Sequence, residues 1–462
     1  MALRLYNTET RSVDLFESIE KKCVSMYTCG PTVYHYAHIG NLRTYVFEDI
    51  LKRTLIRNGY KVNHVMNITD VGHLTDDGDD GDDKMEIGAS REGKTVWEIA
   101  EHYTDAFKND IKRLNIIDPD IWCKATDHIQ EQIDMVKSLD VKGFTYELKD
   151  GLYFKTAKFS KYGNMAGLDL EGLQAGSRVE QIEGKENISD FCVWKKSPSG
   201  SKRLMEWESP WGKGFPGWHL ECSAMALKYL GKHFDIHCGG VDHVRVHHCN
   251  EIAQTEAVTG EKWVNWWMHG EFLLLDEGKM SKSADNFLTI DGLVKKGYDA
   301  LAFRLYLMSA HYRKALTFTF EALDGSQKAL ERLRVKVDTI KKHNKGEVAQ
   351  AYIELFNNAL KDDLNMPQAV SQLWMLLQDD SISNEDKHAT VIDMEEVLQL
   401  DLFKESEIEN SIDEPAILKL IDERNRARDE KNYARSDEIR NQLKDMGIQI
   451  TDGKEGLLFK RI

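Results

Sequence analysis

The spacing of hydrophobic residues predicts alternating strands and helices in the first part of the chain. Short β-prone runs at 24–28 and 61–69 flank a segment, 45–59, in which apolar residues recur at helical spacing until a glycine ends the pattern. A strand, a crossover helix and a strand of these lengths predict a parallel, right-handed βαβ unit. Ligands of such sheets bind beyond the carboxyl ends of the strands, so we expect a site in the loop 29–41.

The same alternation returns at 215–287 and predicts the second half of the same sheet. From Leu323 onwards the apolar residues follow helical spacing only, as in a helix bundle. The signals between about 75 and 217 are mixed, and the acidic, Ser-rich segment that ends at Pro415 predicts a linker. The predicted fold class is α/β with a parallel sheet, and the predicted regions are 1–323 including the mixed segment 75–217, the bundle 324–400, the linker 401–415 and the last domain 416–462.

An acidic run at 76–83 is a candidate calcium loop. Gly78 and Gly81 interrupt it, and glycine falls where an EF-hand needs an alternate carboxylate. We therefore expect a solvated loop at this position.

Net charge restricts the partners that the chain can bind. Its 61 lysines and arginines against 77 acidic residues give a net charge of −16, which leaves no diffuse positive field for a polyanion. Residues 416–462 differ, with 11 basic and 9 acidic residues. Six cationic side chains in this segment could bind phosphates: Arg424, Arg426, Arg428, Lys431, Arg435 and Arg440. The alternative is a charged helix that is simply exposed to solvent, which has the same composition.

The composition also predicts a compartment. No segment approaches the ~20 apolar residues of a membrane span, and the first residues lack the basic and apolar regions of a secretory signal. Seven scattered cysteines do not form a disulfide framework. We expect a cytoplasmic protein with no membrane partner.

Four possible metal ligands fall near the predicted strand ends. His247 and Glu251 are four residues apart and share one helix face, and Cys29 and Cys222 would have to be brought to them by the sheet. A set of thiolate, imidazole and carboxylate ligands suits zinc. From the residues alone Cys249 competes with Cys222, and each cysteine is also interpretable as a small buried hydrophobic side chain.

Two further elements suggest phosphate chemistry. His38-Ile39-Gly40-Asn41 stands where the first loop enters its helix, and helix N-termini attract phosphate, although a helix-capping role is the alternative. The segment 279–283, Lys-Met-Ser-Lys-Ser, carries two lysines that could neutralise a leaving polyphosphate or could simply lie on the surface.

In this order the two elements resemble those of class I aminoacyl-tRNA synthetases. Residues 29–34 (Cys-Gly-Pro-Thr-Val-Tyr) and 217–225 (Gly-Trp-His-Leu-Glu-Cys-Ser-Ala-Met) resemble the cysteinyl-tRNA synthetases in particular. The likeness runs from Met26 to about His311, and 423–428 is similar to the family's anticodon-binding end.

The resemblance implies a Rossmann-like catalytic domain with an inserted connective region, a tRNA-contacting bundle and an anticodon-binding domain, in a monomer. It implies that L-cysteine is activated with ATP and Mg²⁺ to cysteinyl-adenylate and transferred to the 3′-terminal adenosine of tRNA(Cys). The implied catalytic residues are His38, Lys279 and Lys282. The implied ATP-binding residues are His38, Asn41, Gly240, Asp242 and Lys282. The implied cysteine-binding residues are Cys29, Gly30, Thr69 and Trp218. The implied zinc ligands are Cys29, Cys222, His247 and Glu251.

Two positions depart from the family pattern. Asn41 replaces the usual histidine, so it can bond to nucleotide but cannot become cationic, and Cys249 stands where many members have an acidic residue. Glu251 is favoured as a ligand because it shares a helix face with His247.

We expect the zinc ion to take the substrate sulfur as an additional ligand, so that selection is chemical and no editing domain is needed. Trp218 is expected to form a wall of the pocket, with ordinary core packing as the alternative.

Three other functions compete with this one. A ligase that joins cysteine to an amino sugar should lack the basic last domain. A zinc hydrolase built on 243–251 lacks the HExxH arrangement and leaves the two lysines unexplained. A non-catalytic RNA-binding module would not consume ATP.

Overall fold

The structure is a computed structural model that describes most of the chain. The chain forms two compact units, Met1–Leu402 and Phe403–Ile462. None of the described helices is long and apolar enough to cross a membrane. The described residues are 1–72, 83–168, 184–197, 203–275, 288–341, 346–404, 414–430, 432–445, 448–453 and 456–461.

A five-stranded parallel sheet forms the centre of the first unit. Its strands are β3 Cys23–Thr28, β4 Lys61–Ile68, β5 Ile121–Lys124, β10 Phe234–Gly240 and β11 Val264–Gly270. They lie in the order β11-β10-β3-β4-β5, and all four pairings are parallel. The chain therefore builds outward from β3 in one direction and from β10 in the other. Ligands bind at such a reversal of strand order, beyond the carboxyl ends of the two central strands. The predicted βαβ unit and the predicted second half of the sheet are both present.

The remaining strands form small separate sheets. Their bounds are β1 Arg4–Asn7, β2 Ser12–Leu15, β6 Thr145–Leu148, β7 Gly151–Phe154, β8 Phe191–Lys196, β9 Gly214–Pro216, β12 Leu273–Leu275, β13 Leu316–Phe318, β14 Ile448–Gly453 and β15 Gly456–Arg461. Strands β6 to β9 make a four-stranded antiparallel sheet inside the mixed segment.

Helices cover the central sheet and form most of the rest of the chain. Their bounds are α1 Ile39–Arg57, α2 Lys84–Glu92, α3 Val96–Arg113, α4 Ile129–Val141, α5 Trp218–Leu230, α6 His247–Thr259, α7 Ile290–Lys295, α8 Ala300–Met308, α9 Phe320–Lys341, α10 Gln350–Lys361, α11 Met366–Gln378, α12 Asn384–Leu398, α13 Glu414–Asp429 and α14 Tyr433–Asp445. Helices α9 to α12 occupy the segment in which the apolar spacing predicted a bundle.

Helix α1 begins six residues before the apolar periodicity that predicted it. His38 is its N-cap, and Ile39 and Leu42 of the first turn are buried. Gly40 and Asn41, which stand between them, have low helix propensity and obscure the helical pattern. The other end agrees with the prediction, because Gly59 follows the helix with φ of +78°.

The end of the acidic run is not a solvated loop. Asp83 is buried, its carboxylate accepts the Met85 N–H at 2.7 Å as the N-cap of α2, and it lies 2.8 Å from Arg203. A guanidinium and a helix N-terminus together compensate the charge that the prediction placed in water. The rest of the run lies outside the described residues.

The second unit contains α13, α14 and the hairpin of β14 and β15. Helix α13 begins at Glu414, so the last two positions of the predicted linker belong to a helix, and 405–413 lies outside the described residues. Arg424 is 3% exposed and therefore belongs to the core of this unit. Arg435 lies 2.8 Å from Glu423 and 2.6 Å from Glu438.

Candidate active site

A cavity of about 480 Å³ opens where the strand order reverses. The loop that follows β3, the first turn of α1, the start of α5 and the turn after β10 form its walls. Ten of the residues singled out from the sequence line it: Cys29, Gly30, His38, Asn41, Thr69, Trp218, Cys222, Gly240, Asp242 and His247. Lys279 and Lys282 lie outside the described residues.

Four side chains at the inner end of the cavity could hold a metal ion. One ligand atom from each of Cys29, Cys222, His247 and Glu251 lies within 4.8 Å of all the others, and all four residues are buried. His247 and Glu251 meet because they are one turn apart on α6, with 3.6 Å between Nε2 and Oε1. Cys29 comes from the end of β3 and Cys222 from α5, which packs beside α6.

The donor atoms of this cluster fit a divalent cation of the zinc type. Among the described residues, neither carboxylate oxygen of Glu251 accepts a hydrogen bond, although His237 Nε2 lies 3.1 Å from Oε2. Burial of a carboxylate in this state is costly, and a cation would relieve it. Burial raises the pKa of the Cys29 thiol well above its ordinary value, and a coordinating cation reverses that preference by stabilising the thiolate. Two thiols, an imidazole and a carboxylate match the ligands that zinc takes in proteins.

A second group shares two of these residues. Cys29, His237, His248 and Glu251 also bring one ligand atom each within 4.8 Å of one another. The His248 Nε2 atom lies 3.4 Å from Cys29 Sγ, and its Nδ1 atom lies 2.7 Å from His269 Nε2. Burial lowers the pKa of His248 and His269 well below the ordinary value, so both rings are neutral.

Sequence reasoning did not assign His237 or His248 to the site. His248 falls within the stretch 243–251, and His237 lies within the range of the family likeness, but neither position carries a signal of its own. The signal that could have found His237 is its place on β10, three residues before the strand end, where a buried imidazole needs a polar partner.

Cys249 does not join either group among the described residues. Its Sγ atom donates a hydrogen bond to the Val244 carbonyl at 3.1 Å. Burial raises the pKa of this thiol to about 11. Cys249 lies two residues from His247 and two from Glu251 on α6, so its side chain leaves the helix on a different face from theirs, and Cys222 is the cysteine that groups with them.

The start of α1 combines the two roles that the sequence left open for His38. Its Nδ1 atom accepts the Asn41 N–H, and the Asn41 Oδ1 atom accepts the His38 N–H, both at 3.2 Å. This is a reciprocal capping box. Burial lowers the pKa of His38, and a neutral ring that accepts at Nδ1 carries its proton on Nε2. The cap therefore leaves His38 with an N–H donor at the other ring nitrogen.

Gly30 and Trp218 also line the cavity. The Gly30 N–H donates to Asn67 Oδ1 at 2.8 Å, and the Asn67 amide in turn donates to Thr69 Oγ1 at 3.0 Å. Trp218 is half-buried at the start of α5, with its ring 4.5 Å from that of His247. It lines the cavity, as predicted, and is not an ordinary core residue.

Comparisons with known proteins give the same class as the fold and the site. The family model described as "tRNA synthetases class I (C) catalytic domain" matches residues 15–328. The fold resembles that of LeuRS from Agrobacterium radiobacter in a ternary complex with tRNA and LeuAMS, with a TM-score of 0.59 at 11% identity over 82% of this chain and 83% of that one. Methionyl-tRNA synthetase of Mycobacterium tuberculosis bound to methionyl-adenylate gives 0.54 at 15% identity over 82% of this chain and 90% of that one. The molecule is a class I aminoacyl-tRNA ligase.

Relatives of higher identity narrow the class. A protein of Burkholderia lata named "Cysteine--tRNA ligase 1" is 50% identical over 99% of this chain and 96% of its own length. A "Cysteine--tRNA ligase" of Treponema denticola is 45% identical over all of both chains. The chain belongs to the cysteine–tRNA ligase family of class I synthetases.

Proposed function

We propose that the chain attaches L-cysteine to tRNA(Cys) in two steps within the described cavity. The cysteine carboxylate attacks the α-phosphorus of Mg²⁺-bound ATP, which forms cysteinyl-adenylate and releases pyrophosphate. A hydroxyl of the 3′-terminal adenosine of tRNA(Cys) then attacks the activated carbonyl and displaces AMP. The observation that carries the proposal is that one cavity is lined both by candidate metal ligands, two of which are thiols, and by the capped N-terminus of α1.

Cys29, Cys222, His247 and Glu251 hold zinc in this proposal. When bound, zinc supplies a soft electrophile that favours the thiolate of the substrate over the hydroxyl of serine. Trp218 closes the wall beside His247, and Gly30 and Thr69 line the cavity on the side of Asn67. Because a metal contact distinguishes sulfur from oxygen, selection needs no editing domain.

His38 and Asn41 bind the phosphates of ATP in this proposal. The capping box fixes the His38 ring by its Nδ1 atom, so that its Nε2–H can donate to a phosphate oxygen at the N-terminus of α1. Gly240 and Asp242, at the end of β10, border the nucleotide. Lys279 and Lys282 stabilise the departing pyrophosphate, a role that positioned positive charges perform in phosphoryl transfer.

The proposed division of labour follows the regions predicted from the sequence. Region 1–323, with its connective insertion at 75–217, performs catalysis, 324–400 contacts the tRNA, 401–415 connects, and 416–462 reads the anticodon, in a cytoplasmic monomer. Because Arg424 is buried and Arg435 is in ion pairs, the exposed Arg426 and Arg440 are the better candidates for phosphate contacts.

Two assays on the intact chain test the function. Cysteine-dependent exchange of pyrophosphate into ATP is expected without tRNA, and charging of tRNA(Cys) is expected when tRNA is added. Exchange without charging would favour the amino-sugar ligase, and RNA binding without ATP consumption would favour the non-catalytic module. Lys282→Ala is expected to depress exchange while the metal content is unchanged, and equal exchange would remove the role given to that lysine.

A further inference from the structure

Four aromatic side chains at one edge of the cavity contact one another. The Tyr36 ring meets those of Tyr103 and His102, with 4.9 and 5.8 Å between centroids and 89° and 73° between ring planes. The His35 ring stacks on that of Tyr103, at 5.9 Å and 7°. His35 and Tyr36 belong to the loop between β3 and α1, and His102 and Tyr103 belong to α3. We call these four residues the aromatic cluster.

Within the aromatic cluster, Tyr36 both lines the cavity and is exposed, with 42% of its surface accessible. Its hydroxyl lies 3.2 Å from His102 Nε2, and contacts with the three other rings restrict its orientation. Aromatic side chains lose little conformational entropy on binding because they have few free torsions, and a ring that is already held loses less. Tyr36 is therefore prepared to receive a flat ligand.

The charged groups beside the aromatic cluster compensate one another in part. Arg91 donates to the Tyr103 hydroxyl at 2.9 Å and lies 3.1 Å from Glu92. Glu92 also contacts that hydroxyl and lies 3.2 Å from Lys94. One carboxylate between two cations leaves a small positive balance in this group. Aromatic rings beside positive charge suit single-stranded nucleic acid, which combines flat bases with phosphates.

The aromatic cluster and the proposed nucleotide-binding residues lie on different sides of the start of α1. Helix α3 packs on the β5 side, since Phe107 contacts Tyr45 of α1 and Trp122 of β5, with 4.8 and 6.1 Å between ring centroids. Gly240 and Asp242 stand at and just after the end of β10, which is on the other side of β3 in the strand order. An ATP molecule that reaches from the first turn of α1 towards β10 thus leaves the aromatic cluster accessible.

A second nucleic-acid group must enter this cavity in the proposed function. The 3′-terminal adenosine of the tRNA has to bring a hydroxyl to the activated carbonyl while the adenylate still occupies its site. The 3′ end of a tRNA is single-stranded, and unpaired bases are held largely by stacking on aromatic side chains. The edge that ATP leaves open is therefore where a stacking group is needed.

We propose that the aromatic cluster binds the 3′ end of the tRNA by stacking one of its last three bases on Tyr36. His35, His102 and Tyr103 hold the Tyr36 ring in place for this contact. The proposal rests on the proposed function and assigns Tyr36 to the transfer of cysteine to tRNA. It gives Tyr36 no part in the formation of the adenylate.

Tyr36→Leu tests the proposal, because leucine keeps an apolar side chain against Tyr103 but has no ring. Tyr36→Phe keeps the ring and loses only the hydroxyl. Trp97→Leu is the matched control, since Trp97 is 49% exposed on α3 but is not among the described residues that line the cavity. His102 and Tyr103 follow Trp97 by five and six residues, so they leave the helix on the opposite side.

Two rates are compared for each variant: cysteine-dependent pyrophosphate exchange, and single-turnover transfer of cysteine from preformed adenylate to subsaturating tRNA(Cys). Tyr36→Leu is expected to lower transfer by about tenfold and to leave exchange and the KM for ATP within about twofold. Tyr36→Phe and Trp97→Leu are expected to match the unaltered chain within about twofold in both rates.

Modified tRNAs identify the base that stacks on Tyr36. Three tRNAs each lack one of the last three bases but keep every ribose and phosphate. With the unaltered chain, removal of the stacked base is expected to lower transfer by about tenfold. With Tyr36→Leu, the same removal is expected to change transfer by less than about twofold, because ring and base share one contact that is already lost. The series on the unaltered chain needs no variant, so it tests the proposal even if Tyr36→Leu does not fold.

Four results would overturn the proposal: full transfer by Tyr36→Leu, an equal loss in Trp97→Leu, independent losses from Tyr36→Leu and from each base removal, or no loss from any base removal with the unaltered chain. A raised KM for ATP in Tyr36→Leu would assign the ring to the adenine of ATP and overturn it as well. Failure of the unaltered chain to exchange pyrophosphate or to charge tRNA refutes the proposed function instead, so the two failures are distinguishable.

Discussion

At the scale of single residues, Gly30 has the least freedom in the candidate site. A Cβ atom at this position would lie 1.7 Å from the backbone carbonyl oxygen of Asn67, on the neighbouring strand. The close approach lets the Gly30 N–H reach the Asn67 side chain and places Cys29 beside the other candidate metal ligands. Any side chain at position 30 would push the ends of β3 and β4 apart.

We therefore expect Gly30→Ala to destabilise the fold by about 2 kcal/mol and to lower cysteine-dependent exchange by at least tenfold. Gly325→Ala is the control, because its added Cβ meets no atom within 4 Å in α9, and alanine there is expected to add up to about 1 kcal/mol of stability. Urea unfolding and the exchange assay measure both variants. Full exchange activity in Gly30→Ala would show that the close approach is not needed.

Asp70, just beyond β4, gives a pH-dependent prediction. Its carboxylate accepts the Thr126 N–H at 2.9 Å and the Thr126 hydroxyl at 2.6 Å, and burial still raises its pKa to about 6. The folded protein keeps this proton up to about pH 6, whereas the unfolded chain releases it near about pH 4. The stability that the proton confers is complete below the lower value and is lost as pH rises through the upper one.

Asp70→Asn removes this titration while the amide oxygen still accepts the Thr126 N–H. Relative to the unaltered chain, the variant is expected to gain about 2 kcal/mol of unfolding free energy between pH 4.5 and pH 7.5. Urea unfolding of both proteins at both pH values gives the difference in unfolding free energy between variant and unaltered chain. The other titrating groups are the same in both proteins, so their contributions cancel in this difference. A difference that is independent of pH would contradict the raised pKa.

At the scale of elements, the N-terminus of α1 matters most. His38 caps the helix by its side chain, and Gly40 is needed because a Cβ there would approach His38 Nδ1 to 2.9 Å. The His38 imidazole therefore both caps the helix and faces the proposed phosphate site. Replacement by alanine alone cannot separate these two roles.

A pair of variants does separate the two roles. His38→Ala loses the cap and is expected to cost about 1 kcal/mol of stability together with exchange activity. His38→Asp restores a good cap but places a negative charge where phosphate should bind, so thermal stability should recover while exchange stays low. Recovery of exchange in His38→Asp would show that His38 acts only as a cap.

The sequence predicted the elements better than their ends. Apolar spacing identified β3, α1, β4 and the helices of the bundle, because burial of one face imposes that spacing. It missed the first turn of α1 and the burial of Asp83, since the cap at His38 and the partners of Asp83 are hydrogen bonds that apolar spacing does not encode. The left-handed backbone at Gln399, which caps α12, and at Asp401 gave no sequence signal, because neither residue is a glycine.

At the scale of the whole molecule, the reversal of strand order assembles the candidate site. Its candidate metal ligands come from the end of β3, from α5 and from α6, and Cys29 and Cys222 are distant in sequence. Sequence spacing could pair His247 with Glu251 but could not choose between Cys222 and Cys249 without the resemblance. The second group, with His237 and His248, was missed because His237 is on a strand and His248 on the following helix, and no sequence periodicity relates positions on two different elements.

The two cysteines provide a matched test of the ligand set. Cys222→Ser is expected to lower metal content and cysteine activation together, whereas Cys249→Ser should retain both, because Cys249 bonds to Val244 away from the cluster. Metal analysis of the purified variants measures this. Retention of metal in Cys222→Ser with release from Cys249→Ser would reverse the assignment.

The most direct test of metal-based selection is calorimetric binding of L-cysteine and L-serine to the intact chain, once loaded with zinc and once depleted of it. The account predicts one zinc per chain, binding of cysteine at least about a hundredfold tighter than that of serine in the loaded form, and loss of this preference on depletion. If the depleted chain still bound cysteine as tightly as the loaded chain and still discriminated against serine, the metal would not be the selector.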